Sequence, residues 1–167
     1  MWKFISSRFS PREEKLSVAR LFIQYGLSVR EGKIYCGQIE IPTAKVATVV
    51  GVDRRTVSAT VKLIESDSYL KKIFSELEPS GSSLKGVAKN FGWSVIEITP
   101  SDASKPGILA GVASLVASRN LSIRQAIVDD VELNPNPKLT IVVEGQLPPE
   151  LIYEIKKVQG VNSLSIL

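Results

Sequence analysis

The chain has 167 residues, enough for one medium domain or two small ones, and its 44% apolar content suits a packed globular protein. It has no histidine and one cysteine, Cys36, which excludes histidine-based catalytic triads, Cys/His zinc sites and an internal disulfide. The net charge of +4 is uneven: residues 1–79 carry 13 Lys and Arg against 9 Asp and Glu, residues 80–167 carry 8 of each, so the first half alone points to a polyanionic partner or to ordinary surface charge.

The start of the chain, Met1-Trp2-Lys3-Phe4-Ile5-Ser6, lacks the sustained apolar core of a secretory signal. The longest apolar run, Ile108 to Ala117, is interrupted by Gly111 and Ser114 and falls short of a membrane span. A cytoplasmic location is expected.

In chain order, Ser10-Pro11-Arg12-Glu13 predicts a helix start with Ser10 as cap, and Leu16, Ala19, Phe22 and Ile23 continue it to a stop at Gly26. Val29, Ile34, Cys36, Ile39 and Ile41 alternate around glycines and predict a short hairpin. Pro42 opens a second helix through Val50. Gly51-Val52-Asp53 turns the chain, and Asp53 caps a third helix to about Ser66, with Val57, Val61 and Ile64 as its buried stripe. A short helix from Ser68 to Leu77 follows. Glu78-Pro79-Ser80-Gly81-Ser82-Ser83 reads as a linker, and residues 83–92 as a short helix. The expected division is a helical domain at 1–78, linker and short helix at 79–92, and a second domain at 93–167.

The second domain starts with an alternating strand, Trp93 to Thr99. Lys105-Pro106-Gly107 then turns into a helix carrying Ile108, Leu109, Val112, Leu115 and Val116, stopped by Asn120. Strands follow at Leu121 to Asp129 and Lys138 to Glu144, separated by a turn rich in Asp, Asn and Pro. A helix starting at Pro148-Pro149-Glu150 ends at Gly160, and a last strand spans Val161 to Leu167. The order is βαββαβ, a ferredoxin-like split βαβ, which makes the chain α+β.

Two motifs carry functional weight. A strand, a Pro-Gly turn and a helix start place free backbone N–H groups where a carboxylate can bind, and Gly107 lets a ligand approach the backbone; the plain alternative is a tight turn. In residues 45–57, Ala47, Gly51, Val52 and Val57 have the marks of two crossing helices joined by a tight turn. Arg54, Arg55, Thr56, Ser58, Ala59 and Lys62 would then lie on or near the exposed face of the second helix. Arg can read guanine there, and Lys or the helix N-terminus can hold phosphate. Thr60 breaks the apolar pattern, and a hairpin used for packing or protein contacts is the alternative. Asp129, Asp130 and Glu132 read as a solvated turn, and no metal or cofactor is expected. Arg124 has those acids or a ligand as possible partners; Trp2, Trp93 and Cys36 read as packing residues.

The βαββαβ order with Pro106-Gly107 at the first strand–helix junction and Gly160-Val161 before the last strand resembles the ACT domain, a small-molecule-binding regulatory module. The family often has Asp two residues before the Pro; here Ser104 stands there and Asp102 is out of register. With Ile34-Tyr35-Cys36-Gly37, Ile39-Glu40-Ile41-Pro42, Gly51-Val52-Asp53-Arg54-Arg55 and residues 123–130, nearly the whole chain resembles an archaeal-type family of predicted regulators of amino-acid metabolism. That family joins an N-terminal helix-turn-helix-like domain to a C-terminal ACT domain. The resemblance implies an ACT homodimer, or a tetramer of two such dimers, that binds an amino acid near the Pro-Gly loop. It points to Ser104, Gly107, Ile108, Leu109, Ile123 and Gln125 for the ligand, and the helix-turn-helix pattern to Arg54, Arg55, Thr56, Ser58 and Lys62 for DNA. The expectation is an amino-acid-responsive, DNA-binding regulator, or alternatively a regulatory subunit that docks on a biosynthetic enzyme without binding DNA. No catalytic spacing of polar residues is present, so an enzyme is not expected.

Overall fold

Trp2, Ile5 and Phe9 fall at helical spacing, and in the computed structural model, which describes residues Met1–Leu167, they form the buried face of α1 (Trp2–Phe9). This helix was not anticipated, and it changes the role of Ser10. Ser10 ends α1 in an extended conformation, while α2 (Glu13–Tyr25) begins after Arg12 with no side-chain cap. Glu13 and Glu14 in the first turn of α2 complement the helix dipole instead. Gly26 closes α2 in the left-handed region (φ 61°), and a Cβ there would lie 2.3 Å from the Glu78 carbonyl oxygen, so only glycine fits.

The chain divides into two units, Met1–Gly81 and Ser82–Leu167, in a mixed α+β structure with seven α-helices and two antiparallel sheets. In the first unit, the stretch expected as a hairpin is a three-stranded meander of β1 (Leu27–Arg30), β2 (Lys33–Cys36) and β3 (Ile39–Ile41). Glu31 and Gly32 connect the first pair with positive φ at both positions, the backbone that a two-residue hairpin turn requires. Three helices follow: α3 (Thr43–Val50), α4 (Arg54–Ser66) and α5 (Ser68–Ser75). Phe22, Val29, Ile34, Val57, Ile64 and Phe74 are fully buried, and Phe22 meets Phe74 edge-on at 6.2 Å.

In the second unit, a single 3-10 turn (Ala88–Phe91) takes the place of the expected short helix. Strand β4 (Ser94–Pro100) leads through the Pro-Gly loop to α6 (Ile108–Ser118). Then come β5 (Ile123–Val128), β6 (Leu139–Val143), α7 (Pro149–Lys156) and β7 (Val161–Ile166). The antiparallel sheet has the order β5-β6-β4-β7, the split βαβ arrangement. Ile96, Ile98, Ile141 and Val143 point to one face, where Val112, Val116, Leu151 and Ile155 of the two helices cover them. Val95 and Val142 point the other way, under Leu84, Ala88 and Trp93. Both faces at the middle of β4 are therefore dry, and the residues before the strand are part of this unit.

Two glycines let the helices settle. A Cβ on Gly111 of α6 would lie 2.8 Å from a Val158 methyl group, and one on Gly160 (φ 94°) 2.9 Å from Ile108. Close packing thus holds the start of α6 against the end of the α7 segment.

Candidate functional site

Leu139 of β6 faces Ile98 of β4 on one side and Val128 of β5 on the other, whereas Val143 faces Ser94 and Ile123. The C-terminal ends of β4 and β5 consequently lie at the same end of the sheet, beside the Pro-Gly loop. Asp102 organises this loop. Its Oδ1 accepts the Ser104 N–H at 3.0 Å and the Ser104 hydroxyl at 2.6 Å, and its carbonyl accepts the Lys105 N–H at 3.3 Å. The Ser104 hydroxyl, its N–H and the Lys105 charge together hold the Asp102 carboxyl below its ordinary range.

Gly107 (φ 102°) is the N-cap of α6 and supplies no capping side chain. The first helical bond is Gly111 N–H to the Gly107 carbonyl at 2.9 Å, which leaves the N–H groups of Ile108, Leu109 and Ala110 without helical acceptors. A Cβ on Gly107 would meet nothing within 4 Å, so space stands open in front of the helix start. Here lies a cavity of about 260 Å³, bounded by Pro106, Gly107, Ile108 and Leu109 on the loop side and by Val128 and Asp129 at the end of β5. A second cavity of about 490 Å³ lies along Ser101, Lys105, Gly107 and Gly160.

Of the residues expected at the ligand, Gly107, Ile108 and Leu109 line the first cavity. Ser104 stands behind it, its hydroxyl donated to Asp102. Ile123 lies at the opposite end of the sheet, beside Val143. Gln125 is committed elsewhere: its carbonyl accepts the Leu84 N–H at 2.8 Å and its amide donates to the Ser82 carbonyl at 2.9 Å, pinning the start of the unit across the sheet. Within one chain these two do not reach the cavity; Val128, Asp129 and Lys138 do. The signal for them was available, because the first two strands of a split βαβ run parallel and bring their C-terminal ends together. Asp129 Oδ2 accepts the Asn134 side-chain amide at 2.7 Å and the Lys138 N–H at 3.1 Å. Asp130 caps the following turn through the N–H groups of Glu132 and Leu133. Arg124 pairs with Glu144 at 3.7 Å and stacks over the Trp93 ring, away from the cavity.

In the first unit, Gly51 (φ 78°) closes α3, and the N–H groups of Gly51 and Val52 both donate to the Ala47 carbonyl. Asp53 caps α4 by accepting the Arg55 N–H at 2.7 Å. That carboxylate occupies the helix start, so the α4 N-terminus is not free to hold a phosphate as the sequence suggested. Arg54, Arg55 and Lys62 are exposed and make no ion pair or side-chain hydrogen bond. Two Arg in the first turn oppose the helix dipole, an arrangement that costs about 0.3–1 kcal/mol per charge. Ser58 and Ala59 are half-buried on the same helix, and the half-buried Thr56 donates its hydroxyl to Glu14 Oε2 at 3.2 Å. Thr60 is fully buried and satisfied, its hydroxyl bonded to the Thr56 carbonyl at 2.8 Å. The polar break in the apolar pattern thus costs the packing little.

Behind α3 an apolar groove of about 320 Å³ runs along Tyr25, Leu27, Cys36, Ile41 and Val49, with Lys45 as its one charged residue. No helix is long and apolar enough to cross a membrane.

No protein-family model and no curated protein matches the chain. Among solved structures it is similar to the C-terminal domain of the MgtC protein from Mycobacterium tuberculosis, at 17% identity, 45% coverage of this chain, 83% of that one and a TM-score of 0.33. It is also similar to a point mutant of Rv3291c, at 13% identity, 93% and 90% coverage and a TM-score of 0.28. Likenesses of this size bear on neither fold nor activity.

Proposed function

We propose that the chain is a non-enzymatic, cytoplasmic regulator of amino-acid metabolism. The first unit binds DNA through a helix-turn-helix-like pair, α3 and α4. The second is an ACT-type sensor that dimerises and takes an amino acid at the Pro-Gly loop. The observation that carries this reading is the pair Arg54 and Arg55: unpaired, exposed and set against the dipole of their own helix. A polyanion supplies the charge they lack, and Lys62 two turns on extends the same face. The open start of α6 beside an amino-acid-sized cavity supports the sensing half.

The test is retention of fragmented genomic DNA by the wild-type protein and by Arg54→Ala/Arg55→Ala, at several salt concentrations. Retention of a few fragments that the double variant loses is the expected result. Retention indifferent to sequence and to the substitutions would remove the DNA-binding half.

The groove behind α3 favours a second reading. Tyr25 is 63% exposed and Val49 68%, an apolar, weakly basic face suited to docking on a biosynthetic enzyme. On that reading DNA affinity is absent at all salt concentrations, and the unit co-purifies with an enzyme that the amino acid inhibits.

A further inference from the structure

Resting on the reading of the Pro-Gly cavity as an amino-acid sensor site, we infer that its ligand is an α-amino acid with an aliphatic side chain, and that Asp129 receives the ligand's ammonium group. The wall of the cavity is built from Pro106, Ile108, Leu109, Val128, Pro137 and Leu139, which offer no side-chain hydrogen bond to a polar substituent. A hydroxyl, amide or charge placed against them would lose its water without a new partner. The volume of about 260 Å³ lies under the roughly 300–1,000 Å³ of pockets for drug-sized ligands and suits a small metabolite.

The charged groups at the cavity are not equivalent. Lys138 lies on its edge, yet its ammonium is 3.1 Å from Glu97 and engaged there. Lys105 makes no ion pair or side-chain hydrogen bond, and Asp129 accepts both of its hydrogen bonds on Oδ2, leaving Oδ1 free. The Lys105 ammonium, which feels the nearby Asp102 charge but forms no ion pair with it, and the open Oδ1 of Asp129 complement a zwitterion on a largely apolar cavity. Lys105 attracts the ligand carboxylate and Asp129 its ammonium, while the side chain lies on the aliphatic wall. The two hydrogen bonds to Oδ2 fix the Asp129 carboxylate in place before the ligand arrives.

Calorimetric titration of the full chain with leucine, serine, aspartate, lysine and 4-methylpentanoate (leucine without its ammonium) tests the inference. The expected result is leucine binding at least tenfold tighter than the other four. Asp129→Asn should weaken leucine at least tenfold and leave 4-methylpentanoate unchanged. Leu109→Asn, at a position 39% exposed and therefore safe for folding, should shrink the preference for leucine over serine at least threefold. Tighter binding of serine, aspartate or lysine, or leucine binding indifferent to both substitutions, would overturn the inference while leaving an amino-acid sensor in place. No binding of any amino acid would remove the sensor reading as well.

Discussion

Helices α4 and α6 begin in opposite ways. Asp53 caps α4 with its own carboxylate, bonded to the Arg55 N–H, and α5 is closed likewise by Asp67, which accepts from Tyr69 and Leu70. Helix α6 begins at Gly107, with no capping side chain and open space before it. A capped start contributes about 1 kcal/mol to stability and leaves nothing for a ligand. An open one forgoes that stabilisation and keeps its N–H groups available to an anion. The two units thus offer opposite chemistry: α4 displays cations on a closed start, and α6 displays backbone donors on an open one.

Removing the cations should have the largest effect. Arg54→Ala/Arg55→Ala should weaken DNA binding roughly a hundredfold or more, at about 1–3 kcal/mol per base-contacting Arg, or lower the salt slope by about one for each Arg that contacts phosphate. Filter retention across a salt series reads both. Closing the open start comes next. Gly107→Asp puts a carboxylate where the ligand's carboxylate belongs and should weaken amino-acid binding at least tenfold, about 1.4 kcal/mol. Gly107→Ala shares the strain of a positive φ without the charge, so if it weakens binding equally in dialysis, backbone distortion rather than repulsion is responsible.

Opening the closed start is the converse. Asp53→Ala should cost about 1 kcal/mol in denaturant unfolding and leave amino-acid binding unchanged. The smallest effect concerns Glu97, which bridges Lys85 and Lys138. Lys85 first, then Lys138, hold its carboxyl below the ordinary value. The stabilisation is therefore present above about pH 4.3 and is lost as pH falls through the lower, folded-state value. Glu97→Gln should cost about 0.5–1 kcal/mol at neutral pH and flatten that acid-side loss, since both lysines are partly exposed. A thermal melt at pH 7 and pH 3 checks it.

Strong local signals made most elements legible. Asp53, Pro42, Gly51 and the Ile and Val alternations placed α3, α4 and the strands within two or three residues. Helix α1 carries only a weak local signal, since Trp2, Ile5 and Phe9 have helical spacing but no side chain caps the helix and the stronger Ser-Pro-Arg-Glu start signal of α2 follows directly. At the cavity, the loop side was legible from Pro106 and Gly107 alone. The β5 side was legible only through the split βαβ order, which brings Val128 and Asp129 beside the loop. The displacement of Ile123 and Gln125 was not, because a register shift between them and the tie from Gln125 to Ser82 and Leu84 depend on strand pairing across many residues. Pairing is a tertiary property, and local periodicity does not encode it.

The most direct test of the account is the DNA dissociation constant of a selectively retained fragment, measured without and with a saturating amino-acid mixture. If the two units form one regulator, the constant shifts by about 5–150-fold in either direction, the range of ordinary allosteric coupling. An unchanged constant, with the amino acid shown to be bound, would contradict it.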